Sequence, residues 1–267
     1  MKILLTADTH YNRFWYEWLI EQSPGFDLIA IAGDLVQAFD AGLVADQKRD
    51  IERWLAQIVR NGCALAVSSG NHEMFSKTSL HVGSDQGFSL SNAFNSLLPS
   101  ASRNDRHPLF LEDGTTGLIE SATGSLIVSS IPYKKFGDLM EISARSPMWE
   151  EGRALKSQTG FPWLVLHHDP PAGGPVGGMA GDFELRMSIE KFQPDYMLSG
   201  HLHGQPFFEG GGFYEKIGRS VCFNSGQTLP SRSQIPNDIV LDTETRTATW
   251  HYFDIKRGVL MEERWHV

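Results

Sequence analysis

The sequence predicts an α/β fold built on parallel strands that are buried on both faces. Leu28–Ala32 is an unbroken apolar run stopped by Gly33-Asp34, which reads as a strand ending at a tight turn. Short apolar runs of the same kind recur along the chain, each closed by a polar motif, with stretches of helical spacing between them. A further group of runs punctuated by turn signals points to a second, more antiparallel sheet. In open α/β sheets ligands sit beyond the carboxyl ends of strands, so the polar motifs mark the expected site. The 267 residues show no internal repeat, low-complexity tail or linker, and a single domain over residues 1–267 is expected.

Lys2–Thr6 reads as the first strand. It leads to Asp8-Thr9-His10, where extended backbone would put a carboxylate and an imidazole on one side. That pair suits a borderline transition metal. The aromatic stretch Phe14–Trp18 opens a helix that should stop before Pro24-Gly25, with most of its rings packing on the sheet. At the tip of Leu28–Asp34, Gly33 allows the turn and Asp34 is pushed out over the strand end. Its two oxygens could each hold one cation, so Asp34 is expected to be shared by two metals. Asp46–Arg60 carries Ile51, Trp54, Leu55, Ile58 and Val59 at helical spacing and is closed by Asn61-Gly62.

Cys63–Val67 is the next buried strand, followed by Gly70-Asn71-His72-Glu73. Asn71 could bind a metal through its amide oxygen, and His72 is placed to donate a proton. The polar stretch Met74–Pro108 is an excursion near the site with a short helix around Ser91–Leu98, and His81 and His107 are solvated bystanders. Pro108–Leu111, Gly117–Glu120 and Ser125–Ile131 are assigned to the second sheet, and Asp138–Lys156 to a helix broken at Pro147. Trp163–Leu166 ends in His167-His168-Asp169-Pro170-Pro171; adjacent histidines point opposite ways, so one faces the site. The glycine-rich Ala172–Gly181 is expected to be a mobile lid or a connector. After a helix over Asp182–Phe192, the strand Tyr196–Ser199 ends in Gly200-His201-Leu202-His203, which can aim two imidazoles at two adjacent metals. Val221–Phe223 leads to the turn Asn224-Ser225-Gly226-Gln227, and Ile239–Asp242 with Thr247–Phe253 form a hairpin of the second sheet. His251 and His266 are structural or exposed.

The composition narrows the function classes. A net charge of −9 argues against a broad nucleic-acid footprint or an anionic membrane surface. Two cysteines, both in apolar runs, make no disulfide framework. No apolar run approaches the roughly 18 residues of a membrane span, and the first strand leaves no room for a cleaved leader, so a cytoplasmic protein is the expectation. The donor set is oxygen- and imidazole-rich and lacks sulfur, which suits manganese, iron or zinc.

The motif order Asp-x-His, Gly-Asp, Gly-Asn-His-Glu, His-x-Pro-Pro and Gly-His-x-His, spanning Asp8 to His203, resembles the calcineurin-like metallophosphoesterases. The resemblance implies a four-layer α/β/β/α sandwich of two mixed sheets and a binuclear centre of divalent or trivalent ions. By the same resemblance Asp8, His10, Asp34 and His203 would hold one metal, and Asp34, Asn71, His168 and His201 the other. His167 and Asp169 would be outer partners, His72 a protonated catalytic acid, and Asp34 part of the catalytic centre. Ser225 stands where the family's usual Asn-Pro-Gly turn has proline, which leaves the metal set untouched.

The implied reaction is phosphoester hydrolysis by a metal-bridging hydroxide, with a small-molecule or cyclic-nucleotide diester as the favoured substrate. Gly-Asn-His-Glu leans toward a Ser/Thr protein phosphatase or other monoesterase, but Gly33-Asp34 continues without the Asp-Arg-Gly of those enzymes. Gln37 stands where purple acid phosphatases carry a Tyr ligand. A nuclease is disfavoured by the acidic balance. The rival of another class is a non-catalytic metal-binding scaffold, against which every matched position is filled.

Overall fold

The computed structural model describes residues 1–38, 44–75, 110–111, 113–133, 141–228, 233 and 235–267. The expected helix at Ser91–Leu98, with His81 and His107, lies outside them. The first strand, β1 (Lys2–Thr6), pairs in parallel with β2 (Leu28–Ala32), and β2 with β3 (Ala64–Ser68). The two-residue β4 (Phe110–Leu111) extends the same sheet. On the other side of β1 lie β11 (Asp238–Asp242), β12 (Thr247–Asp254) and β13 (Val259–His266), all antiparallel. The second sheet has the order β5 (Thr116–Ser121), β6 (Gly124–Ser130), β7 (Trp163–Leu166), β8 (Tyr196–Ser199), β10 (Ser220–Asn224) and β9 (Tyr214–Ile217). Its centre, from β6 to β10, is parallel.

Alternation along the strands builds four layers. Ile3 and Leu5 of β1, Leu28 and Ala30 of β2, Leu164 and Leu166 of β7, and Phe223 of β10 meet in one core between the sheets. The intervening residues face outward: Leu4, Ile29 and Ile31 pack on α1 (Arg13–Gln22) and α2 (Val44–Arg60). Trp163, Val165 and Met197 pack with Trp149 of α4 (Glu141–Thr159) and with Leu185 and Ile189 of α5 (Phe183–Phe192). Cys63 belongs to the first outer layer and Cys222 to the second, so both are buried thiols held on opposite sides of the sandwich. No helix among the described residues is long and apolar enough to cross a membrane.

Several expectations are corrected. Ile239–Asp242 and Thr247–Phe253 form a hairpin, but it joins the first sheet, because β11 pairs with β1 from Lys2↔Asp242 to Leu5↔Ile239. Phe110–Leu111 likewise pairs with β3 and not in the second sheet. Pro147 lies inside α4, which runs through it. Ala172–Gly181 is a folded loop rather than a free connector. Ala172 N–H donates to Asp182 O, Gly173 N–H to Gly178 O and Asn224 Nδ2 to Val176 O, and Val176 is fully buried. The aromatic stretch in α1 packs as expected: Trp15 and Tyr16 are buried, and only Phe14 is well exposed.

Candidate functional site

Five strand ends deliver the polar motifs to one rim of the sandwich. β1 continues into Asp8 and His10, β2 into Asp34, and β3 into a short helix, α3 (Asn71–Phe75), that starts on the motif itself. β7 supplies His167 and His168, and β8 supplies His201 and His203. The turns are sharp. Asp8, His10, Tyr11, Asp34 and His201 have φ between 44° and 61°, a left-handed backbone that costs a non-glycine residue about 1–3 kcal/mol. Elsewhere among the described non-glycine residues only Gln193 and Arg246 share it. Asp8 and His10 therefore converge through two left-handed turns, not through the period of an extended strand. Two glycines let the loops close on one another. A Cβ on Gly70 would overlap Asp34, and one on Gly200 would overlap Ala7 and Asp8.

The structure brings together every expected site residue. Asp34 Oδ2 lies 3.3 Å from His168 Nε2, 3.8 Å from His10 Nε2 and 3.8 Å from His72 Nε2. Asp8 Oδ1 lies 3.1 Å from His203 Nε2, which is 3.2 Å from His10 Nε2. Asn71 Oδ1 lies 3.0 Å from His168 Nε2 and 2.8 Å from His201 Nδ1. His167 turns away, with Nδ1 3.1 Å from Ile131 O, while Asp169 faces His201 Nε2 at 3.8 Å.

Asp34 sits between the two groups, but its oxygens are not equivalent. Oδ1 accepts the His72 backbone N–H at 2.8 Å, and only Oδ2 faces the histidine rings on both sides. Any sharing of Asp34 would run through that one oxygen rather than through one oxygen per cation.

The donor set fits cations. His168 Nδ1 is 2.8 Å from Ala32 O and must carry a proton there, as metal-binding imidazoles commonly do. Its Nε2 then directs a lone pair at Asp34 Oδ2 and Asn71 Oδ1, which are both acceptors. Only a proton or a cation relieves that opposition. In the metal-free chain it is a proton: burial disfavours the imidazolium, but the Asp34, Asp8 and Asp169 carboxylates overcome it and raise His168 to about 10. Burial likewise works against the Asp34 carboxylate, yet His168, His72 and His10 hold it below the usual carboxylate range. His203 is raised, since Asp8 outweighs the effect of burial. Burial pulls His10 down to about 4.

His72 departs from expectation. Its Nδ1 accepts the Ala38 backbone N–H at 3.1 Å, so the ring carries one proton, on Nε2. Burial lowers its pKa further. The ring is a neutral hydrogen-bond donor aimed at Asp34 Oδ2, not an imidazolium.

Glu73 was part of a recognised motif without an assigned role. Its buried carboxylate accepts N–H groups from Asp34 at 3.0 Å, Val36 at 2.9 Å and Gly70 at 2.6 Å, and so ties the β2 turn to the β3 turn. Burial and the nearby Asp34 push it up to about 7, while the Val36 and Gly70 N–H groups act against that rise. Tyr133 was also missed: its ring lies 5.6 Å from that of His168 and 6.2 Å from that of His201. The Asn224–Gln227 turn braces the rim from below, with Gln227 Nε2 donating to Ala7 O at 2.8 Å.

Comparison with known proteins agrees with this architecture. The sequence profile described as calcineurin-like phosphoesterase matches residues 1–205. No curated protein matches by sequence. Among solved structures, TT1561 of Thermus thermophilus aligns with a TM-score of 0.57 at 15% identity, covering 98% of this chain and 97% of that one. The calcineurin-like phosphoesterase YfkN from Bacillus subtilis aligns with a TM-score of 0.53 at 14% identity, covering 99% and 89%. At these identities the two structures speak to the fold alone.

Proposed function

Because the chain belongs to the calcineurin-like phosphoesterase family, we propose that it hydrolyses a phosphoester at the Asp8–His203 rim, with a small-molecule diester, cyclic nucleotides included, as the substrate type. The observation that carries this reading is the inward convergence of Asp34 Oδ2, Asn71 Oδ1 and four imidazole nitrogens, those of His10, His168, His201 and His203, each within hydrogen-bonding range of a neighbour in the set. Asp8, His10, Asp34 and His203 would hold one manganese, iron or zinc ion, and Asp34, Asn71, His168 and His201 a second. Such ions act as Lewis acids on phosphoryl oxygen and make hydroxide available near neutral pH.

The chain's own groups position and balance the reaction. Asp8 and Asp34 offset only part of the charge of two cations, which leaves the rim attractive to a phosphoryl anion inside an acidic protein. The His201 backbone N–H bonds both Asp8 oxygens, at 3.1 and 3.0 Å, and fixes that carboxylate. The His168 ring is fixed by Ala32 O. His72 Nε2–H stands 3.8 Å from Asp34 Oδ2, placed to hydrogen-bond a phosphoryl or departing oxygen. With its single proton it stabilises developing charge by donation; full transfer would leave an imidazolate and is disfavoured.

The test is metal analysis of the purified protein together with hydrolysis of bis(p-nitrophenyl) phosphate and p-nitrophenyl phosphate. Two bound ions and a faster diester reaction are expected. A faster monoester reaction would favour the phosphatase reading. Inertness toward both esters in metal-replete protein would overturn the proposal in favour of a scaffold.

A further inference from the structure

Beside the metal-type cluster lies a cavity of about 940 Å³ whose wall includes His203 itself. Apart from Pro175, His203 and Gly204, every residue lining it follows residue 205, where the match to the family ends. It is built mainly from the segment between β8 and β9 and from the C-terminal hairpin strands, beyond the residues that the family profile matches.

Its chemistry is aromatic with polar edges. Trp250 stacks on Tyr252 with ring centroids 4.0 Å apart, and on Phe213 at 5.0 Å. Phe207 closes on both Trp250 and Tyr252, at 5.2 and 5.6 Å. Phe207 and Trp265 remain 42% and 45% exposed although they line the cavity, so ring faces stay available to a ligand. The same lining carries groups that an alkyl chain would not tolerate. Asp254, Lys256 and Glu263 share the lining, and Glu263 already accepts the Tyr252 hydroxyl at 2.8 Å.

We propose that this cavity is the subsite for the organic group of the phosphoester, and that it selects a flat heteroaromatic ring with hydrogen-bonding edges, as in a nucleoside. The inference rests on the phosphoesterase reading for its orientation: a phosphoryl group at the rim, beside His203, places the attached alcohol in the adjoining cavity. Ring faces stack on Phe207 and Trp265, and the polar edge meets Asp254, Lys256 or Glu263. Stacking of this kind tolerates different bases, because each has a π-face. The cavity's size lies within the usual range for small-molecule sites.

The experiment compares diesters that share the p-nitrophenolate leaving group: adenosine and thymidine 5′-(p-nitrophenyl phosphate), methyl p-nitrophenyl phosphate and octyl p-nitrophenyl phosphate. In the metal-replete enzyme the nucleoside esters should exceed the methyl ester in kcat/KM by about tenfold or more. Phe207→Ala and Trp265→Ala, both at partly exposed positions, should each reduce that ratio by about tenfold. An unchanged ratio, or an equal loss on the octyl ester, would overturn the subsite while leaving phosphoester hydrolysis standing. Binding supplies the readout that needs no turnover. Adenosine and thymidine 5′-monophosphates should quench tryptophan fluorescence saturably and bind more weakly to Phe207→Ala. Binding by a protein that hydrolyses none of the esters would support the subsite and overturn the activity; absence of binding would overturn the subsite.

Discussion

Glu73 offers the sharpest test of how the rim is assembled. Its carboxylate is the shared acceptor for Asp34, Val36 and Gly70 N–H groups, all inside the protein. Replacing it with Ala strands three buried donors, each worth about 1–3 kcal/mol, for a loss of about 3–9 kcal/mol before water enters the gap. Total stabilities of about 5–15 kcal/mol make that a large fraction. Gln is a different perturbation. Its amide oxygen, set where Oε2 sits, keeps the Asp34 and Gly70 bonds, and its NH2 opposes Val36 N–H alone, at about 1–3 kcal/mol. Shedding a buried charge beside Asp34 offsets part of that cost, since Glu73 is pushed up to about 7. Glu73→Gln should therefore stay close to wild type in urea midpoint and bound metal, and Glu73→Ala should lose both. The assay is urea unfolding of chelator-treated protein, paired with metal analysis of the untreated protein. A Glu73→Ala variant with a wild-type midpoint, or a Gln variant as damaged as Ala, would refute the reasoning, the second because it would make charge rather than hydrogen bonding decisive.

Other outcomes follow from the same geometry. Asp34→Asn should abolish ester hydrolysis and reduce bound metal together, as metal analysis and the diester assay would show, because Oδ2 is the oxygen that faces both histidine groups. His72→Ala should retain the metals yet slow esters with poor leaving groups most; equal slowing across a leaving-group series would contradict its role as donor. Gly200→Ala should lower the Tm by about 2–10 °C, because its Cβ meets Ala7 and Asp8 with no flexible side chain to yield. Away from the rim, His251 Nδ1 is 2.9 Å from Asp238, and that bond raises the imidazole above its ordinary 6.5 despite burial. The folded state then holds the extra proton, so this contribution is present below pH 6.5 and is lost as pH rises through the folded value. His251→Gln should flatten that decline in urea midpoint over the alkaline side of pH 6.5.

What the sequence made legible were patterns that are local in the chain. Leu28–Ala32 and Tyr196–Ser199 read as doubly buried strands because both faces of a central parallel strand need apolar residues, and each is followed at once by its own turn motif. The candidate site was readable for the same reason: every group that meets at Asp34 Oδ2 lies within a few residues of such a strand end. Alternation in Ile239–Asp242 shows which residues face inward but not which sheet receives them. That is decided by β1, more than two hundred residues earlier, through Lys2↔Asp242. β13 was unreadable because both of its faces are partly or largely exposed, so no apolar period marks it. The same distinction governs His72. Its place in Gly-Asn-His-Glu marks it as special, but its proton count is set by the Ala38 N–H, a backbone group thirty-four residues away that no motif encodes. Which atoms can reach the rim follows from short-range pattern; the state of charge in which they arrive follows from which buried backbone groups the fold turns toward them, and only coordinates reveal those.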